Sequence, residues 1–166
     1  MRKKRFTAIL AALVCLLLLW NSRPQRIGAV MDVDPSQLSG MAASCTVGSV
    51  KNGAPAHDVY LLNSLDPESE HFRVLLAALE STRYCGSPRD LLPFPRDTVS
   101  GGAGYEDCTV NISLAAGENG IHLSFLTPRK LCLNLPEEEG LLVYFLTDKD
   151  AFYTLKAYLM EHGQAS

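Results

Sequence analysis

The chain has 166 residues, 47% hydrophobic and 20% charged, with 9 prolines and 12 glycines. That is one domain's length, and the apolar content is too high for a disordered chain. Six of the 15 basic residues (Arg2, Lys3, Lys4, Arg5, Arg23, Arg26) flank the first apolar run, which leaves nine basic against 18 acidic residues over 27–166, a net of about −9; a surface that replaces phosphate counterions needs the opposite sign, so nucleic acid is excluded as a partner.

The first element is the uncharged stretch Phe6–Trp20 behind the Arg-Lys-Lys-Arg block. A basic segment followed by an apolar run is the pattern of a secretory signal. Fifteen helical residues rise about 22 Å, short of a hydrocarbon core of roughly 30 Å. Snorkelling of Arg5 and Arg23 and an interfacial Trp20 would close the difference. Signal peptidase needs small residues before its cut. Trp20-Asn21-Ser22-Arg23-Pro24 meets that poorly, and Ile27-Gly28-Ala29 is only a second choice. Cys15 sits among leucines, where a lipidated cysteine would follow small residues. Residues 1–23 are therefore read as a signal or anchor, with Phe6–Trp20 held in the membrane. The charge bias keeps the N-terminus cytoplasmic and exports the body in a single-pass arrangement. Secretion after signal cleavage is the alternative.

Residues 24–43, with Pro24, Pro35, Gly28 and Gly40, read as a linker or stalk. A single extracytoplasmic domain over 44–163 follows. Ser44–Val50 and Asp58–Leu62 are strand candidates, separated by Asn52-Gly53. Asp66-Pro67-Glu68 starts a helix, with Asp66 as N-cap and Pro67 in the first helical position. Phe72, Leu75, Leu76 and Leu79 then define one apolar face. Alternation in 108–114, 121–125, 131–135 and 141–146, broken by turns at 117–120, 127–130 and 136–140, predicts an antiparallel meander with one oily face. Thr147 to Asp150 has the spacing of a capping box, and Phe152, Leu155 and Leu159 form the stripe of a closing helix. The fold class is α+β: a meander sheet of about four to six strands, with two amphipathic helices on one face.

Cys45, Cys85, Cys108 and Cys132 are an even set in an exported segment and permit two disulfides in three connectivities; unpaired, mostly buried thiols are the other reading and the one preferred. Cys108 and Cys132 fall on opposite faces of their strands and should not pair. No two cysteines have zinc-ligand spacing, and Glu137-Glu138-Glu139 lacks the alternating ligands and central glycine of a calcium loop. Gly101-Gly102-Ala103-Gly104 has neither the feeding strand nor the following Lys-Ser or Lys-Thr of a phosphate loop. No metal or cofactor is expected. The histidines are scattered; Cys85 with His122 is the nearest approach to a nucleophile and base, without an activated-thiol motif. The long segment 86–107 stands out instead. Leu91, Leu92 and Phe94 lie among prolines, flanked by Arg89 and Arg96; they either fold back onto the body and fill a gap or form a stiffened recognition loop with apolar anchors and a polar rim.

This layout resembles that of small uncharacterised signal-anchored exported proteins of Gram-positive anaerobic bacteria. The shared features are the basic segment and apolar run Arg2–Trp20, the strand leading to Asp66-Pro67-Glu68, the glycine-rich approach to Tyr105, the meander and the closing helix. The resemblance rests on layout, and no activity comes with it. Because no nucleophile–base pairing, metal cluster or cofactor loop is recognisable in the sequence, the expected function is a non-catalytic binding or interaction module with a cell-surface protein or peptide as partner. A small exported hydrolase is the alternative.

Overall fold

Alternating side chains and short turns generate the body of the molecule, seen in a computed structural model that describes residues 2–51, 54–91, 108–138 and 140–165. Among these residues eight strands form one antiparallel sheet: β1 (Leu38–Lys51), β2 (Ala54–Leu65), β3 (Tyr84–Gly86), β4 (Cys108–Ala116), β5 (Asn119–Thr127), β6 (Lys130–Asn134), β7 (Leu142–Leu146) and β8 (Gln164–Ala165). Their order is β3-β7-β6-β5-β4-β1-β2-β8. Four helices accompany them: α1 (Arg2–Asn21), α2 (Ile27–Met31), α3 (Glu70–Ser81) and α4 (Asp150–His162).

The α+β class and the antiparallel sheet agree with the sequence reading, but four to six strands and two helices understate the fold. The additional strands are short edges. β3 has three residues and β8 two, and both take their conformation from pairing with β7 and β2 rather than from their own pattern. β1 and β2 also run further than their β-branched centres, through Gly40, Gly48 and Pro55. Pro55 is tolerated because β8 pairs with β2 only at Tyr60 and Leu61, so no β8 neighbour requires its missing N–H.

The inner face of the meander is buried as the alternation predicts, with Val110, Ile112, Leu123, Phe125, Leu131 and Leu133 at 1% exposure or less. Leu75 and Leu79 of α3 and Phe152 and Leu155 of α4 join the same cluster, so the helices and one sheet face share a core. At the start of α3, Ser69 and not Asp66 is the N-cap: its Oγ accepts from the Phe72 N–H at 3.1 Å. The Asp66 carboxylate instead accepts from the N–H groups of Glu68 and Ser69, both at 3.0 Å, in a turn that aims the chain at the helix. At α4 the Asp148 carboxylate accepts from the Asp150 N–H at 3.1 Å and from the Thr82 hydroxyl at 2.8 Å. One side chain thus opens α4 and ties it to the end of α3.

Two readings of the N-terminal region change. No helix among the described residues is long and apolar enough to cross a membrane. The single-pass cell-membrane arrangement is therefore overturned. Its physical reason is length. The uncharged part of α1 supplies about 22 Å of rise against a hydrocarbon core of roughly 30 Å. The remainder of the helix is four basic residues and Asn21. Residues 24–43, read as a stalk, are instead packed into the body. Ile27, Val30 and Met31 of α2 are 0–3% exposed, and β1 begins at Leu38.

Candidate functional site

Three places on the molecule combine exposure with chemistry. The first is the junction of α1 with the body. Gln25 forms a bridge with Tyr84, each N–H donating to the other residue's carbonyl at 2.9 Å. The Asn21 side-chain amide donates to the Ser87 carbonyl at 2.9 Å. Gly86 makes this approach possible: a Cβ there would stand 2.8–3.0 Å from Asn21 atoms. A 3-10 turn, Pro88–Leu91, lies beside the end of α1, and Leu91 is 44% exposed. Trp20 is also exposed. The Arg23 guanidinium lies 3.8 Å over its ring, a cation–π contact. Of the recognition residues read from sequence, Leu91 is therefore an exposed apolar side chain, and Arg89 falls in the same turn. Leu92, Phe94 and Arg96 lie outside the described residues.

The second place is the sheet face turned away from the core. The β4–β5 register sets Asn111 opposite Ser124 and Ser113 opposite His122, and β6 sets Asn134 opposite His122. Ser113 Oγ and His122 Nδ1 are 2.9 Å apart. This pair, rather than Cys85 with His122, is where a hydroxyl meets an imidazole. The hairpin turn at Gly117-Glu118 carried the signal, since it fixes which residues of β4 and β5 face each other. Acyl transfer also requires donors aimed at a developing oxyanion. In the middle of a sheet the backbone N–H groups are spent on the ladder. The geometry therefore suits hydrogen-bonded recognition better than nucleophilic catalysis.

The third place is a pair of clefts around the turn after α2. One, of about 440 Å³, is lined by Arg26, Ile27, Asp32, Asp34 and Glu80 among others. Its neighbour, of about 270 Å³, shares Asp32 and Val33 and adds Ile121, Leu135, Glu137 and Glu138. The Asp34 carboxyl is held below the usual carboxylate range, first by the Ser36 N–H and then by the Ser36 hydroxyl, at 2.9 and 2.8 Å. Sequence reading missed this region because it took residues 24–43 for a stalk.

The buried chemistry is more specific. Cys45 and Cys108 are both fully buried, with their sulfurs 3.7 Å apart. Cys85 and Cys132 are separated by β7, opposite Phe145 and Val143 respectively. Cys132 lies on the other sheet face from Cys108, as its alternation indicates. The scattered histidines prove less scattered in space: His71 Nδ1 lies 2.8 Å from the Tyr158 hydroxyl, and the His162 ring is 5.6 Å from His71. Burial first, then the Glu70 and Glu161 carboxylates, push the Tyr158 phenol up. This cluster pins α3 to α4. Among the described residues no group of three His, Cys, Asp or Glu side chains is placed to hold a metal ion.

Comparison with known proteins finds no matching family model, curated protein or solved structure.

Proposed function

We propose that this chain is a secreted extracytoplasmic domain, delivered by α1 as its export signal, whose body is a non-catalytic binding or interaction module. The observation that carries the reading is α1 itself. Ten of its large apolar side chains stand outside the core, from Leu18 at 38% to Phe6 at 70% exposure, behind four basic residues. A folded domain does not leave such a surface in water, and the length of the run is that of a signal's apolar region.

The body constrains where a peptidase cuts. Cleavage after Ala29 would split α2, discard the Gln25–Tyr84 bridge and empty the place of Ile27 in the core. The cut therefore falls between Asn21 and Gln25, where the chain leaves α1 and has not yet joined the sheet. On the body, the exposed Leu91 offers an apolar anchor, in the same 3-10 turn as Arg89. The sequence continues it through Leu92, Phe94 and Arg96.

The full chain is to be expressed in an export-competent bacterium and its products fractionated. Soluble protein beyond the membrane, with its first residue among 22–25, is the expected result. Full-length protein confined to the cytosol overturns the export reading. For the body, a serine-reactive phosphonate probe should leave Ser113 unlabelled. Leu91→Ser should weaken capture of a surface-extract partner without moving the thermal midpoint. Covalent labelling of Ser113 would instead establish the hydrolase.

A further inference from the structure

We propose that Cys45 and Cys108 are a disulfide-forming pair that locks β1 to β4 beneath α4. The geometry comes from the register. Cys45 faces Val110 and Val47 faces Cys108, so the two cysteines are diagonal neighbours on adjacent strands, with both side chains on the core face. Their sulfurs are 3.7 Å apart. Closing to a bond of about 2.05 Å brings the two sulfurs together by about 1.7 Å. The other cysteines of the body are placed differently. Cys85 and Cys132 lie on either side of β7. Of the pairs open to the sequence, the structure brings Cys45 and Cys108 together and keeps Cys85 and Cys132 apart across β7.

The reaction is a thiol–disulfide exchange with an external disulfide as oxidant, either a thiol oxidase's disulfide or a low-molecular-weight one. One cysteine, as thiolate, attacks that disulfide and displaces a donor thiol. The second, as thiolate, attacks the mixed disulfide and displaces the other. Two S–H bonds and the donor's S–S bond are lost. The protein's S–S bond and two donor thiols are gained, so the electron pair ends on the donor.

Timing follows from burial. In the folded chain both sulfurs are shielded, and the Cys45 thiol is pushed far up, first by its hydrogen bond to Cys108 and then by burial. The Lys156 ammonium opposes that shift without reversing it. A folded, reduced molecule therefore exchanges slowly. Closure belongs to the stage when β1 and β4 are still meeting, and the finished bond is sealed from reductants. The proposal draws on the export reading only for the compartment that supplies the oxidant.

The test refolds the full reduced chain with and without a mixture of oxidised and reduced glutathione. Thiols are then trapped by alkylation in acid denaturant, and the peptides are mapped by mass. A single species linking the Cys45 and Cys108 peptides, two hydrogens lighter than the reduced pair, is expected. The two cysteines are 63 residues apart in sequence. Closing a loop of that length should raise the thermal midpoint on the order of 10 °C over the reduced protein. Cys85→Ser/Cys132→Ser should keep that difference, and Cys45→Ala/Cys108→Ala should lose it. Native protein from the oxidising mixture with both thiols alkylated overturns the proposal, as does linkage of either to Cys15, Cys85 or Cys132. If the alanine variant does not fold, the peptide map of the unmodified chain decides. A linked pair after refolding, with unlinked thiols in protein taken from cells, upholds the pair and overturns export.

Discussion

Tyr84 is fully buried, and its hydroxyl donates to the Leu79 carbonyl at 2.8 Å. Burial first, and the Asp148 carboxylate second, hold its phenol well above the ordinary range. The folded state therefore keeps a proton that the unfolded chain releases near pH 10. The associated stabilisation is complete below that pH and is lost as the pH climbs towards the folded value. In a spectroscopic titration, one phenol should ionise only together with unfolding. Tyr84→Phe should remove that step and cost about 1–2 kcal/mol, because the Leu79 carbonyl loses a donor. Reversible ionisation of every tyrosine near pH 10 in the native protein would contradict this. Two glycines make a contrasting pair. A Cβ at Gly163 would collide with the Leu159 carbonyl oxygen and stand 3.0 Å from the Tyr60 Cβ. Gly117 has open space around it but a φ of +60°. Gly163→Ala should cost on the order of 1–3 kcal/mol by collision and release β8 from β2, whereas Gly117→Ala should cost about 1 kcal/mol through backbone strain alone. Urea denaturation of the two variants, with amide exchange at Gln164 and Ala165, separates the mechanisms.

Helix α3 is held by polar contacts at both ends. Ser69→Ala removes the cap on the Phe72 N–H and should cost about 1 kcal/mol. Asp148→Ala strips the acceptor shared by the Asp150 N–H and the Thr82 hydroxyl. Thr82 is buried, so the loss should exceed that of the cap, at roughly 1–3 kcal/mol. Equal stability of both variants with the parent, by thermal or denaturant unfolding, would count against this assignment. What was legible follows the same division between local and long-range causes. The meander, α3 and α4 carry their own periodicity, so alternation from Cys108 and the Phe72–Leu79 stripe predicted both their existence and their faces. α2 carries a shorter signal, Ile27, Val30 and Met31 at i, i+3 and i+4, which nearby glycine and proline obscured. β3 and β8 have almost no local signal. The Ser113–His122 pair could be read from one hairpin turn. The Cys45–Cys108 pair needs the β1–β4 register, which no turn between them sets.

At the scale of the whole molecule, α1 and α2 divide the N-terminal segment between two tasks. The side chains of α1 stay outside the core, whereas α2 contributes three of the core's buried side chains and carries the chain from the Gln25–Tyr84 bridge towards β1. Removing α1 should therefore leave the fold in place, and removing both should not. Burial of Ile27, Val30 and Met31 stabilises by about 1.5–3 kcal/mol each, or on the order of 5 kcal/mol together. That is comparable with the whole stability of a typical domain, about 5–15 kcal/mol. A chain of residues 23–166 loses the Asn21–Ser87 hydrogen bond but keeps the bridge and α2. Its thermal midpoint should stay within a few degrees of the full chain's. A chain of residues 32–166 also leaves Tyr84 without its bridge partner, and its midpoint should fall by more than about 10 °C or no cooperative transition should remain. Circular dichroism on both truncations is the measurement. Equal midpoints would mean that α2 only rests on the core. A collapse of 23–166 would mean that α1 belongs to the folded body, and it could not then be a signal that is removed.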